Sequence, residues 1–159
     1  MRKAVLGAAV AALAIVLSAC GGGDDQDSGA TATTAAAQQA TEGTVAVAST
    51  NLGEVLVDAK GRTLYVFTKD KGDQSVCSGK CAAAWPALTV TGAATPGTGV
   101  QASLLSTSKQ ANGSTQVTYG GRPLYYFAGD KAPGDTKGQG LNGVWWVVRG
   151  DGSLVQTKG

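Results

Sequence analysis

The chain has 159 residues, with 13 Lys or Arg, 11 Asp or Glu and no His, and its formal net charge is +2. A length in this range suggests one domain. So small a net charge excludes the basic footprint of a nucleic-acid-binding protein, and the lack of histidine excludes the Ser-His and Cys-His pairs of nucleophilic catalysis.

The N-terminus is typical of a signal peptide. Arg2 and Lys3 precede an apolar stretch at residues 4–17, which is shorter than the about 20 residues that a membrane-spanning helix needs. Small residues then precede Cys20, an order similar to the lipobox of bacterial lipoproteins, in which the cysteine is lipidated and becomes the new N-terminus. An ordinary secretory signal with an incidental cysteine is the alternative. We expect residues 1–19 to be removed and the protein to be extracytoplasmic, lipid-anchored to the bacterial cell membrane.

Residues 20–43 are predicted to be the lipidated cysteine and a tether. Loss of the signal peptide, with Arg2 and Lys3, leaves 11 basic and 11 acidic residues, so the mature chain has no net charge. Residues 21–43 contain no aromatic residue and no apolar residue larger than alanine. Such a segment buries too little surface to offset the entropy of ordering it. We expect it to hold a folded domain close to the membrane without fixing the orientation of that domain.

Residues 44–159 are predicted to be a β domain made of two repeats, at about 44–100 and 101–159. The sequences GRTLYVFTKDK, from residue 61, and GRPLYYFAGDK, from residue 121, match at seven of eleven positions. Turn signals and alternating apolar residues predict the same order of strands in each repeat. Gly120 and Gly121 predict a two-residue hairpin turn in the second repeat. The predicted strands are 45–48, 54–58, 63–68 and 87–91, then 104–107, 114–118, 123–128 and 144–149.

The third strand of each repeat is apolar on both faces. Tyr65 and Phe67 lie on one face and Leu64 and Val66 on the other, and Tyr125 and Phe127 take the equivalent places in the second copy. Both strands should therefore be central and covered on both sides. The predicted fold class is all-β, with two tandem four-stranded repeats packed as one pseudo-symmetric sandwich or partly closed barrel. One helical turn is predicted at residues 80–85.

Three cysteines constrain the chemistry. If Cys20 carries lipid, Cys77 and Cys81 remain as a pair outside the cytoplasm, where disulfides persist. A redox pair would favour C-x-x-C spacing. A zinc, haem or copper site of the usual ligands cannot be assembled without histidine or a third cysteine in the folded part. We predict a structural disulfide, no metal site and no cofactor.

Both repeats carry the pattern Y-x-F-x-x-D, from Tyr65 to Asp70 and from Tyr125 to Asp130. Here the chain resembles the secreted lipoprotein-repeat family, which is defined by a Y-x-(F/W/Y)-x-x-D motif and has no established function. The segment CSGKCAAAWP, which contains Trp85, is also similar to that family. One departure matters. Arg122 stands where a histidine is often found, so histidine-dependent chemistry proposed for relatives would not operate here.

We expect the motif aspartates to be structural. Asp70 and Asp130 end their strands and can accept hydrogen bonds from backbone N–H groups of the loops that follow. The alternative is a calcium site in which Asp73 joins Asp70, or Asp135 joins Asp130. An acid/base pair of the two motif aspartates is possible chemically, but no local motif supports it.

The remaining motif residues also have structural interpretations. Trp85 and Trp145, which match at the same offset of sixty, are expected to fill the core. Arg62 and Arg122 start equivalent strands and are expected to pair with an acid or stack on a tyrosine.

The sequence therefore favours a non-enzymatic binding or structural module of the cell envelope. We expect it to be a monomer anchored to the membrane, with an envelope protein as partner and no nucleic acid. The alternative is an auxiliary protein of extracellular electron transfer or of metal or cofactor handling, which would use the aromatic clusters or the loop carboxylates.

Overall fold

The computed structural model describes residues 43–157. The predicted signal peptide, Cys20 and the tether up to residue 42 lie outside the described residues. The strands are β1 (Thr44–Thr50), β2 (Gly53–Asp58), β3 (Tyr65–Phe67), β4 (Thr95–Pro96), β5 (Leu105–Lys109), β6 (Thr115–Tyr119), β7 (Arg122–Pro123) and β8 (Trp145–Val147). One short helix, α1 (Lys80–Ala84), and two 3-10 turns (Ala102–Leu104 and Leu141–Gly143) complete the elements of residues 43–157.

The strands form three small sheets, and none of them closes. Their orders are β2-β1-β4, β3-β8 and β5-β6-β7. Within residues 43–157, the predominance of strands with almost no helix confirms the all-β part of the predicted fold class. The predicted four-stranded repeats and their packing as a sandwich or partly closed barrel are not confirmed, because the sheets contain two or three strands each. No helix within residues 43–157 has the length and apolar character needed to cross a membrane.

Tight turns set the hairpins of both repeats. β1 pairs with β2 from Val45 opposite Asp58 onward, and β5 pairs with β6. Gly120 and Gly121 connect β6 to β7 with φ of 56° and 73°. A type I′ turn requires positive φ at both central positions, and glycine adopts it without steric cost. The predicted two-residue hairpin is therefore present.

Two predicted strands are much shorter than expected. Residues 123–128 contribute only Pro123 to β7, and residues 87–91 form single bridges in place of a regular strand. Consecutive residues here bond different partners, since the amide of Leu124 donates to Val117 and that of Tyr125 donates to Tyr65. A strand needs one neighbour alongside it for several residues, and this segment instead crosses between sheets.

The core has two clusters, one on each face of the central segments. The aliphatic core includes Val45, Leu56, Leu64, Val66, Leu88, Val90, Val117, Tyr119, Leu124 and Val148. The aromatic core includes Val55, Tyr65, Trp85, Tyr125, Trp145, Val147 and Val155. Neighbouring Tyr65 and Val66 are both fully buried and belong to different clusters, which confirms that β3 is covered on both sides.

Candidate functional site

Four aromatic rings form a stack at the centre of the aromatic core. The indoles of Trp85 and Trp145 lie parallel, with ring centroids 3.8 Å apart and planes 3° apart. Phe127 covers the other face of Trp85 at 4.5 Å, and Phe67 covers the other face of Trp145 at 4.3 Å. Rings from the first and second repeats therefore alternate along the stack. Trp85 and Trp145 are 6% and 3% exposed.

The motif tyrosines relate the two repeats reciprocally. The amide of Tyr65 donates to the carbonyl of Tyr125, and the amide of Tyr125 donates to the carbonyl of Tyr65, both at 2.9 Å. Each ring also meets the tryptophan of its own repeat edge-on, Tyr65 against Trp85 at 5.4 Å and Tyr125 against Trp145 at 5.2 Å. The contacts are those of an approximate two-fold arrangement about the two tyrosine backbones.

Each motif tyrosine bonds the motif aspartate of the other repeat. The hydroxyl of Tyr65 donates to Asp130 Oδ2 at 2.7 Å, and the hydroxyl of Tyr125 donates to Asp70 Oδ2 at 2.7 Å. Burial raises the pKa of both tyrosines, and the bond to the partner carboxylate adds to the increase. The Y-x-F-x-x-D motif thus works in pairs across the duplication, a role that the sequence analysis missed.

The second carboxylate oxygen of each aspartate bonds the loop that follows. Asp70 Oδ1 accepts from the amide of Val76 at 2.9 Å, and Asp130 Oδ1 accepts from the amide of Lys137 at 3.0 Å. These are the backbone contacts expected from the sequence. Burial raises the pKa of both carboxyls, and the tyrosine and backbone hydrogen bonds oppose the increase.

The alternative calcium site would need further oxygen ligands near these aspartates. Asp135 Oδ2 instead accepts from the amides of Lys131 and Ala132, and it pairs with Lys137 at 2.7 Å. Across residues 43–157, no three His, Cys, Asp or Glu side chains lie together as metal ligands would.

The two motif aspartates also line different cavities. Asp130 lines one of about 380 Å³ together with Arg62 and Phe127. Asp70 lines another, of about 310 Å³, together with Arg122 and Phe67. Each cavity therefore combines the arginine of one repeat with the phenylalanine and aspartate of the other.

The disulfide predicted between Cys77 and Cys81 is present. Cys81 lies in α1, whose C-cap is Trp85, and both cysteines pack against the aromatic core. The bridge therefore fastens the loop that carries one ring of the stack.

An open cleft of about 990 Å³, called here the edge cleft, lies beside Arg62 and Tyr126. The guanidinium of Arg62 lies 4.0 Å from the ring centroid of Tyr126 and pairs with Asp58 at 2.6 Å. The prediction that the two arginines pair with an acid or stack on a tyrosine is confirmed in both forms for Arg62. It is wrong for Arg122, which makes neither contact within residues 43–157. The cleft is lined by Gly43, Asp58, Lys60, Arg62, residues 87–91, Lys109, residues 113–115 and Tyr126.

Sequence reasoning did not single out the edge cleft. Its distinctive residues are those at which the repeats differ, since Asp58 corresponds to Thr118 and Tyr126 to Val66 at the offset of sixty. The mismatches between the repeats were the signal that would have identified this surface.

Comparison with known proteins gives one match. A family model described as a secreted repeat of unknown function matches residues 46–89 and again residues 106–149. The two matched segments begin sixty residues apart, and each lies within one of the two predicted repeats. No curated protein and no solved structure matches the chain.

Proposed function

Because the chain belongs to this family of secreted repeats of unknown function, we propose that it is a lipid-anchored, non-enzymatic binding module of the bacterial cell envelope. The family description makes it an extracytoplasmic protein. Three further points are proposed: the anchor at Cys20, the absence of catalysis, and binding at the edge cleft.

The anchor is supported by the order of charged, apolar and small residues before Cys20. Mass spectrometry of the protein from native membranes should find a diacylglyceryl group on residue 20. Replacing Cys20→Ser should release the protein into the soluble fraction. An unmodified residue 20 in membrane-associated protein would contradict the anchor.

The binding role is supported above all by how the motif side chains are used. The rings of the stack and both motif aspartates contact each other or their own loops. They serve the fold, which leaves the surface to carry the function. The edge cleft, of about 990 Å³, is a surface feature with three cationic side chains and one carboxylate, and ligand sites commonly have volumes of about 300–1,000 Å³.

A site-specific photo-crosslinker tests this role in intact cells. Placed at Thr89, which lines the edge cleft and is exposed, it should give a discrete crosslinked product. The matched control is the same group at Lys80, which is exposed on α1 and does not line the cleft. Equal products from both positions, or none from Thr89, would contradict binding at the cleft.

No observation favours the alternative role in electron transfer or metal handling. The tryptophan pair is nearly buried within the described residues, so its rings offer little surface to a redox partner. Thermal unfolding with calcium, copper and haem provides a direct test. A ligand at 100 times its dissociation constant stabilises the folded state by about 2.7 kcal/mol, and a shift of that size with any of the three would reopen the alternative.

A further inference from the structure

The backbone of residues 87–91 is hydrogen-bonded along one side. The amide of Leu88 donates to Leu124, the amide of Val90 donates to Thr115, and the carbonyl of Leu88 accepts from Val117. All three bonds belong to the even-numbered residues of this segment. In an extended chain, successive residues direct their backbone groups to opposite sides, so the odd-numbered residues direct theirs away from these partners.

The other side of this segment is an open strand edge. Ala87 and Thr89 form their bridges to Tyr125 and Gln116 through the backbone groups of neighbouring residues. Within residues 43–157, the amides and carbonyls of Ala87, Thr89 and Thr91 bond no other backbone group. All three residues line the edge cleft. An unpaired edge of this kind is a template on which another strand can pair.

The charges around this edge indicate the charge of the partner that would bind there. Lys60, Arg62 and Lys109 line the cleft with one carboxylate, Asp58, which is already paired with Arg62. Lys60 and Lys109 make no ion pair among the described residues, so they are the uncompensated charges of the cleft. A second copy of this chain would bring the same cationic surface against it, and like charges facing one another are costly. An acidic segment fits this surface best.

We propose that the edge cleft binds an extended acidic peptide segment of a partner protein, which adds as a strand to residues 87–91. Main-chain hydrogen bonds to Ala87, Thr89 and Thr91 supply the register, as in other cases of strand addition to a sheet edge. Acidic side chains of the peptide face Lys60 and Lys109. The inference rests on the proposed binding function and names the class of partner.

The probe is the heptapeptide TEVEVET with an N-terminal fluorophore and an amidated C-terminus, tested on the chain from residue 20 onward with Cys20→Ser, by fluorescence anisotropy. Binding should weaken as salt is raised. A peptide N-methylated at alternate residues keeps the charges but loses donors, and a version with Lys in place of Glu keeps the donors but reverses the charges. Both should bind at least about fivefold more weakly. Each hydrogen bond lost by N-methylation costs that order of affinity, and the Lys peptide places like charges against Lys60 and Lys109.

Two pairs of variants locate the site on the protein. Thr89→Pro removes an amide that makes no bond in the described residues, so it should preserve the melting temperature and weaken the peptide at least about fivefold. Thr89→Val is its control and should bind as the parent does. Lys109→Glu should weaken binding, whereas Lys80→Glu, the same charge change away from the cleft, should not.

The outcomes separate the possible occupants. Equal binding of the N-methylated peptide, or polyphosphate competing as well as the peptide, would overturn strand addition and leave a simple polyanion site. Dimerisation lost in Thr89→Pro would replace the peptide with a second copy. Peptide binding that appears only when the acidic residues 24–27 are neutralised would assign the cleft to the chain's own tether. If the in-cell crosslink at Thr89 persists while the peptide fails to bind, the binding function stands and the acidic peptide is wrong.

Discussion

Arg62 and Arg122 occupy equivalent positions in the two repeats, but their surroundings differ. Arg62 pairs with Asp58 and lies over the ring of Tyr126. At the offset of sixty, Thr118 stands in place of Asp58 and Val66 in place of Tyr126. Within residues 43–157, Arg122 makes no ion pair or ring contact. The same residue is held on two sides in one repeat and left at the surface in the other.

The core shows the opposite behaviour. Trp85 and Trp145 stack face to face, and each motif tyrosine bonds the other repeat's aspartate at the same 2.7 Å. A change in one of these residues disturbs both repeats at once, because each completes the other. Surface residues carry no such shared constraint. Residues that match between the repeats form the core, whereas residues that differ between them form much of the edge cleft.

The largest expected effect is the loss of a ring from the stack. Trp85→Ala and Trp145→Ala should each lower the free energy of unfolding by about 3–5 kcal/mol, the usual cost of removing a buried aromatic ring. Urea unfolding measures both. Equal costs would sharpen the comparison, and a difference of several kcal/mol between the two variants would break the equivalence of the repeats in the core.

Next in size is the crosswise tyrosine–aspartate bond. Tyr65→Phe should cost about 1–3 kcal/mol, since a hydrogen bond to a charged acceptor contributes that much. In a double-mutant cycle, Tyr65→Phe and Asp130→Asn should be coupled. The matched control is the cycle of Tyr65→Phe with Asp70→Asn, which belongs to the same repeat but does not bond Tyr65, and its coupling should be close to zero. Coupling in the control cycle instead would place the bond within one repeat.

Replacing the two equivalent arginines should change the free energy of unfolding by different amounts, unlike replacing the two tryptophans of the core. Arg62→Ala should lower the free energy of unfolding by about 1 kcal/mol, because it removes a partly exposed ion pair and a cation–π contact. Arg122→Ala should change it by less than about 0.5 kcal/mol, as for other surface substitutions. Chemical denaturation of the two variants under identical conditions is the measurement. Equal losses would show that the surfaces of the repeats are not as different as their contacts indicate.

The smallest expected effect is on pH dependence. Burial raises the pKa of Asp70 and Asp130 above the ordinary 3.8. Such a carboxyl binds more protons in the folded state than in the unfolded chain, so the free energy of unfolding should fall as pH rises from 3.8 through the raised values. Asp135 affects the pH dependence of stability only below pH 3.8, because its pKa is lowered to about 2 by Lys137 and backbone amides.

Urea unfolding at a series of pH values checks this slope. The double variant Asp70→Asn with Asp130→Asn should remove it, and Asp135→Asn should leave it unchanged. Stability that rises with pH above 3.8 would mean that the tyrosine and backbone hydrogen bonds outweigh burial at both sites.

Local patterns in the sequence predicted local structure well. The alternation around Tyr65 assigned each side chain to the correct face, and two glycines after Tyr119 predicted the hairpin that is present. These features depend on the nearest neighbours in the chain, where periodicity and turn chemistry act. The loop contacts of the motif aspartates were predicted for the same reason.

Contacts between distant segments were not predictable from those patterns. The offset of sixty shows that Tyr65 and Tyr125 are equivalent, but an aspartate five residues onward and one sixty-five residues away fit the same motif equally well. The shortening of residues 123–128 also depends on contacts with Tyr65 and Pro86, which are distant in sequence. The edge cleft is assembled from such long-range contacts.

The reciprocal backbone bonds of Tyr65 and Tyr125 have a consequence for ancestry. Because each repeat gives the other what it receives, two identical copies of a single repeat would satisfy the same contacts through a self-complementary interface. The chain therefore has the form of a homodimer whose subunits were fused into one polypeptide. In a single polypeptide the two halves need not be identical, so an asymmetric surface such as the edge cleft can form on one side only.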